Sequence, residues 1–261
     1  MAVVVITGST RGIGLGLARE FLSKGHKVVI ASRSRDAVDR ALEQVSQWPE
    51  RASGTVCDVV NPVSVTALWQ HATASFGVVD IWINNAGTSG PRRPVIDLTP
   101  VEVGDVVATN LIGTINGMRT ALTGMMAQGH GKVFNFEGFG SDGMTAPGLS
   151  IYGATKRAIT YLTKSANKEL KGSPVLLGTI SPGIVVTDLL IDARDDDPTR
   201  WARTKRLYDI LGDRVETVAP YIVERVLAAE KPGTAIRWLT PGKAITRFLT
   251  ARITGRKVMP D

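Results

Sequence analysis

The chain has 261 residues, 43% of them hydrophobic, which is enough to bury one large core, so one α/β domain over residues 1–261 fits better than two small ones. Its net charge of +7 is concentrated at one end: residues 231–261 hold seven bases and one acid (+6), and the preceding 230 residues carry only +1. These counts exclude three classes: the bases lack the aromatic interleaving or groove-reading module of nucleic-acid binding, a lone Cys57 forbids an internal disulfide, and no apolar run approaches the ~20 residues of a membrane span.

The opening MAVVVITG is strand-like rather than a basic leader, which predicts no signal or transit peptide and, with the single cysteine, a cytoplasmic location. The first strand, VVVIT, runs directly into TGSTRGIG (Thr7–Gly14) and then a helix with Leu15, Ala18 and Leu22 spacing. Gly8 permits a tight turn, Gly12 lets the backbone approach a pyrophosphate, Gly14 allows close helix packing, and the helix N-terminus faces phosphate charge. The second strand, KVVIAS, ends in Ser32, Arg33, Ser34 and Arg35 instead of the acid that would bind a ribose 2′-hydroxyl. Arg33, helped by Arg11, is placed to pair with a 2′-phosphate, which favours NADPH over NADH; the alternative is that these arginines are solvated loop charges. After the third strand, GTVCDV, Asp58 is positioned to accept a hydrogen bond from an adenine amino group.

Further strands are expected at VDIWIN, KVFNF, VLLGTI and AIRWLT, separated by amphipathic stretches such as VSVTALWQHATASF and ATKRAITYLTKSANKEL. Seven strands alternating with helices imply a mainly parallel sheet covered on both faces. In YGATK, a helix places Tyr152 and Lys156 on one face, where the ammonium can lower the phenol's pKa and make it a proton donor. Residues 183–214 break the rhythm with apolar and charged clusters, a length typical of a lid. Leu189, Leu190, Ile191, Trp201, Leu207, Tyr208 and Ile210 either cover a flat ligand or pack the lid itself. In the C-terminal segment Ile245, Phe248, Leu249 and Ile253 repeat at helical spacing while bases take other faces. That helix either docks on its own domain or a sister subunit, or contacts a membrane surface or acidic partner. His26, His71 and His130 have no ligand spacing, and no metal site is expected.

TGSTRGIG, CDV, NNAG at 84–87, Asn110 in TNLIG, YGATK, and SPG at 181–183 followed by Thr187 occur in an order and spacing that resemble the short-chain dehydrogenase/reductase family. The resemblance covers essentially the whole chain. It implies a single Rossmann-type, doubly wound α/β domain with strand order 3-2-1-4-5-6-7, a homodimer or homotetramer formed through the long helices, and hydride transfer between a nicotinamide and a carbonyl or alcohol. It implies Tyr152 as proton donor, Lys156 tuning it and binding the nicotinamide ribose, and Asn110 holding a relay water. The cofactor contacts it implies are Gly8, Ser9, Thr10, Arg11, Gly12, Ile13 and Gly14 at the glycine loop, and Arg33 and Ser34 after the second strand. Asp58, Val59, Asn85, Ala86 and Gly87 would follow, then Tyr152, Lys156, Pro182, Gly183 and Thr187.

The family's serine, about 13 residues before the tyrosine, is missing. The segment reads VFNFEGFGSDG, with Phe139 at that spacing and Glu137 and Gly138 where a serine pair would fall. Ser141 is the nearby candidate, either as a catalytic donor or as a turn residue; Glu137 serves only if protonated; a backbone donor is the third option. Losing one oxyanion donor costs on the order of 10²-fold in rate, which favours an easy substrate such as an aldehyde. The same segment, with RWLTPGKAITRF and VETVAP, resembles the chlorophyll(ide) b reductase branch, whose members carry an acidic residue followed by glycine there. That implies NADPH-dependent reduction of the 7-formyl group of a chlorophyll-type tetrapyrrole. A general carbonyl, 3-oxoacyl or hydroxysteroid reductase, and a non-catalytic NADPH-binding sensor, are the competing readings.

Overall fold

The structure, a computed structural model, describes residues 1–191 and 198–259. In chain order the strands are β1 (Val3–Thr7), β2 (Lys27–Ser32), β3 (Ala52–Val56), β4 (Ile81–Asn84), β5 (Gly131–Phe136), β6 (Val175–Ser181), β7 (Val185–Val186), β8 (Asp213–Arg214) and β9 (Ala235–Arg237). Seven of them form one sheet in the order β3-β2-β1-β4-β5-β6-β9, parallel at every pairing, and β7 pairs with β8 in a separate short ribbon. The helices are α1 (Gly12–Ser23), α2 (Arg35–Glu43), α3 (Pro62–Phe76), α4 (Pro100–Val107), α5 (Gly113–Gln128), α6 (Ser150–Glu169), α7 (Asp188–Ile191), α8 (Pro198–Leu211), α9 (Val215–Leu227) and α10 (Pro241–Thr254).

Alternation along each strand divides the core in two, as a pleated sheet requires. Val4 and Ile6 of β1 join Ile30, Ile83, Phe134 and Ile180 beneath α1 and α9, and Val5 joins Val29, Trp82, Val133 and Leu177 beneath α3 and α5. These side chains are essentially inaccessible, and each contributes roughly 1.5–3 kcal/mol by leaving water. Local chemistry sets the helix starts. Asn61 accepts from Val63 N ahead of Pro62, Thr99 and Glu102 form a reciprocal capping box, and Thr240 accepts from Lys243 N ahead of Pro241. Trp82 Nε1 donates to Asn84 Oδ1 (2.8 Å), Asn84 Nδ2 to Asn135 Oδ1 (2.8 Å) and Asn135 Nδ2 to Thr163 Oγ1 (2.9 Å), a buried polar chain tying β4 and β5 to α6.

Several elements depart from the sequence expectation. The third strand ends at Val56, so Cys57, Asp58 and Val59 belong to the loop at its C-terminal end. The last strand stops at Arg237 because Trp238 to Thr240 turn away to cap α10. The expected lid holds α7, α8 and the β7–β8 ribbon; its residues 192–197, and the side chains of Leu189, Ile191 and Ile253, lie outside the described residues. The bases of the last helix do not all face solvent. Arg247 is buried and grips Asp213 at 2.7 and 3.0 Å, Arg256 adds a third contact at 3.0 Å, and Trp238 Nε1 donates to the same carboxylate at 2.6 Å. The apolar Ile245, Phe248 and Leu249 are instead exposed.

Burial alone would push the Asp213 carboxyl upward, but hydrogen bonds from Arg247, Trp238 and Arg256 outweigh it and hold its pKa below the ordinary value. Asp213→Ala should therefore cost about 3–5 kcal/mol, because it strands a buried guanidinium, and a urea titration would register it. An unfolded aspartate titrates near pH ~3.9 and the folded one lower, so this contribution is fully present above about pH 4. It is lost as pH falls through the folded value, which stability curves of wild type and Asp213→Asn should show by converging at low pH.

Candidate active site

The C-terminal ends of the parallel strands open into one cavity of about 1400 Å³. At its floor, the β1–α1 loop is locked to the β4 loop. Thr7 Oγ1 accepts from Asn85 N and Ala86 N, both at 3.1 Å, and Asn85 Nδ2 donates to the Thr7 and Gly8 carbonyls, both at 2.9 Å. Gly8 has φ +64° with Ala86 Cα 2.8 Å from where a Cβ would lie, and a Cβ on Gly14 would come within 2.5 Å of the Gly8 carbonyl oxygen. Both positions therefore require glycine. No side chain caps the start of α1, so its first N–H groups are available to an anion, and Gly8, Thr10, Arg11, Gly12, Ile13 and Gly14 line the cavity there. This cradle fits a pyrophosphate.

Ser9 departs from the expected cofactor contacts. Its side chain is fully buried, donating to the Ile6 carbonyl (2.6 Å) and accepting from Ala31 N (3.0 Å), so it staples β1 to β2 rather than facing the cavity. Ser34 likewise caps α2, accepting from Ala37 N at 3.3 Å, and only Ser32 and Arg33 of that turn line the cavity. Arg33 is exposed there, with no acid at the end of β2. Arg11 lies 3.9 Å from Asp188, an exposed pair worth ~0–1 kcal/mol. Asp58 and Val59 line the same wall; Asp58 Oδ1 accepts from Val60 N (3.0 Å). Asn85, Ala86, Gly87, Pro182, Gly183 and Thr187 complete this half, with the Thr187 methyl against Gly12.

Tyr152 and Lys156 line the centre of the cavity from α6. Lys156 is buried, donates from Nζ to the Phe136 carbonyl (3.1 Å), and lies 5.7 Å from the Tyr152 ring centroid. Burial pushes the Tyr152 phenol up to about 12, against the expectation that the nearby ammonium lowers it: loss of water dominates the proton affinity of the phenol. Burial also brings the Lys156 ammonium down to about 8, opposed by the charge of Glu137. Asn110 is fully buried in a one-turn π segment, Ala108–Ile112. Its Oδ1 accepts from Thr88 N (2.8 Å) and its Nδ2 donates to the Thr88 carbonyl (2.9 Å) and Thr155 Oγ1 (3.1 Å), so both amide protons are used, while its main-chain carbonyl accepts from Thr114 Oγ1 (2.6 Å).

The position of the missing serine is resolved by contact. A Cβ on Gly138 would overlap the Tyr152 hydroxyl and lie 3.3 Å from Lys156 Cε, so Gly138, not Phe139, is the residue beneath the tyrosine. Glu137 is buried, and its carboxylate accepts from Thr160 Oγ1 at 3.1 Å. Ser141 lines the cavity, but its hydroxyl accepts from Gly138 N (3.0 Å) and donates to the Lys156 carbonyl (3.4 Å), which closes the turn after β5.

The outer half of the cavity is mostly apolar. Met144 and Leu149 face Leu190, Leu207, Tyr208 and Leu211 of the lid, with Leu239 and Phe248 behind. Sequence reasoning missed the arginines of this wall, Arg92 and Arg203, and the part played by α10, whose Ala244 and Phe248 were read only as a tail. The one available signal was Phe248 at helical spacing. His26, His71 and His130 bond Ala2 N, Ser53 and Asp80 respectively, away from the cavity, and no cluster of metal-ligating side chains occurs among the described residues.

The model of the short chain dehydrogenase family matches residues 2–198. The probable chlorophyll(ide) b reductase NYC1 of Oryza sativa subsp. japonica is 37% identical over 266 residues, covering 95% of this chain and 52% of that protein. Chlorophyll(ide) b reductase NOL of Arabidopsis thaliana is 37% identical over 264 residues, covering 97% of this chain and 74% of that one. The chain thus spans about half the length of the first relative and three quarters of the second. Among solved structures, a variant actinorhodin polyketide ketoreductase with NADPH matches at a TM-score of 0.78 and 25% identity, over 94% of this chain and 92% of that one. The parallel seven-stranded sheet agrees with these matches, and the chain belongs to the short-chain dehydrogenase family.

Proposed function

We propose that the chain is a single-domain, NADPH-dependent reductase that converts the 7-formyl group of chlorophyll b or chlorophyllide b to hydroxymethyl. The observation that carries this reading is the Tyr152 hydroxyl close beside Gly138, with Tyr152 lining a cavity roomy enough for a cofactor and a large flat ligand together; sites for one drug-sized ligand run ~300–1,000 Å³. The chlorophyll(ide) b reductases among its relatives, and the NADPH in the ketoreductase neighbour, support it.

A bound nicotinamide supplies hydride to the formyl carbon. Gly8 to Gly14 and the start of α1 hold the pyrophosphate, and Arg33 meets the 2′-phosphate. Tyr152, neutral because its pKa is near 12, donates its proton to the carbonyl oxygen, and Lys156 keeps a positive charge close to the phenolate left behind. Gly138 N and Ser141 N are taken up within their own turn, so Tyr152 serves the oxygen without the second donor that the family's serine supplies. An aldehyde suits this reduced set of donors, being less hindered than a ketone.

The proposal extends to assembly and location. Met126 of α5 and Tyr161 of α6 are exposed on the long helices through which a homodimer or homotetramer would form. Ile245 and Leu249 stand exposed on α10 beside Phe248, which also lines the cavity, so this helix suits peripheral contact with a lipid surface from the cytoplasmic side. No helix among the described residues is long and apolar enough to cross a membrane.

Incubation with NADPH and chlorophyllide b should produce the absorption change of formyl loss. Tyr152→Phe should slow it by about 10²–10⁴-fold while NADPH binding, followed by fluorescence, persists. Turnover of simple ketones but not of the pigment would replace this reading with a general carbonyl or hydroxysteroid reductase, and cofactor binding without any turnover would leave a sensor. Arg33→Ala should raise KM for NADPH by about tenfold or more and leave KM for NADH nearly unchanged. Lys156 is protonated below about pH 8 and neutral above it, so the reduction rate should fall as pH rises through that value, as a pH profile under saturating cofactor would show.

A further inference from the structure

Arg92 has no part in the chemistry described so far. It lies in the loop after β4, packed against Gly148, and its Nη1 donates to the Tyr208 hydroxyl at 3.0 Å. Tyr208 is buried and meets Trp201 edge to face, so the phenol is a fixed acceptor and the guanidinium is held in one place on the cavity wall. Among the described residues no carboxylate lies within ion-pair reach of Arg92. The acids of the cavity are engaged elsewhere: Asp188 with Arg11, Glu137 with Thr160, Asp58 with Val60 N and Asp142 with Met144 N. Arg203, on α8, lines the same wall. A held guanidinium with donors left to give, and a second guanidinium on the same wall, favour an anion arriving with the substrate.

We infer that Arg92 is a specificity-determining residue that binds a carboxylate on the substrate. Resting on the function proposed above, the group is the propionate side chain that is free in chlorophyllide b and esterified in chlorophyll b. The propionate and the formyl sit on opposite pyrrole rings, so proton donor and carboxylate anchor must come from different elements of the wall, as α6 and the loop after β4 do. A planar guanidinium matches a carboxylate by two parallel hydrogen bonds, which an ester cannot receive with full charge. The site therefore selects the de-esterified pigment.

The test compares chlorophyllide b with its methyl ester, reading equilibrium binding by pigment fluorescence and turnover with NADPH, for wild type, Arg92→Ala and Arg92→Lys. Wild type is expected to favour the free acid by about tenfold or more in kcat/KM, mainly through KM. Arg92→Ala should lower kcat/KM for the free acid by about 10- to 100-fold and leave the ester within a few-fold, erasing the preference, and Arg92→Lys should recover part of it. Equal handling of acid and ester by wild type, or equal losses for both in Arg92→Ala, would overturn the inference and leave Arg92 as a structural tie to Tyr208. Acid-selective, Arg92-dependent binding without turnover would uphold the carboxylate site while sinking the reductase reading; absence of binding by either pigment would overturn both.

Discussion

Everything in the cavity is referred to one tie, the hydrogen bonds that bind the end of β1 to the loop after β4. Thr7 offers its hydroxyl to two main-chain N–H groups and Asn85 returns its amide to two carbonyls, so the two loops move as a unit. They leave neighbouring strands at the place where the sheet order reverses direction, where a crevice opens in any parallel sheet of this kind. Close approach of Gly8 to Ala86 and of Gly14 to Gly8 is possible only because no side chains intervene. The tie thus converts a gap in topology into a surface of fixed shape, on which α1 aims its N–H groups and α6 its tyrosine.

Desolvation governs the chemistry of that surface. The same removal of water keeps the Tyr152 proton on and loosens the Lys156 proton, so two groups of nearly equal ordinary proton affinity are driven apart, the phenol up to about 12 and the ammonium down to about 8. Glu137 enters as a buried charge that favours the protonated lysine, while its hydrogen bond to Thr160 holds it against α6 one turn beyond Lys156. A residue standing beside the family's serine position is thereby coupled by charge to the lysine.

Much of this was legible in the sequence, and what was not has identifiable causes. Strands buried on both faces announce themselves as apolar runs, so the seven strands of the sheet and their order follow from the pattern and the motifs. The glycine loop was legible because its residues respond to local backbone demands. The bonds of the Ser9 hydroxyl were not legible because its sequence neighbours face the cavity while it is drawn to Ile6 and Ala31, a choice that depends on β2. Arg247 looked like one more surface base in a basic tail, and only the arrival of Asp213, 34 residues earlier in the chain, makes it a buried one. Arg92 stayed invisible for the same reason: its partner, Tyr208, is 116 residues away.

Gly138 sets the distance between two elements. A serine stands there in the pattern that the chain otherwise resembles, yet its Cβ would fall on the tyrosine hydroxyl as the two elements sit. Glycine lets the strand end and α6 lie closer than a serine allows, and the turn closed by Ser141 rests on that closer spacing. A side chain placed at 138 would require the helix to withdraw, taking with it Lys156, Thr160 and the turn, so the absence of one hydroxymethyl group is felt as a change in the spacing of the whole site and not only as a missing donor.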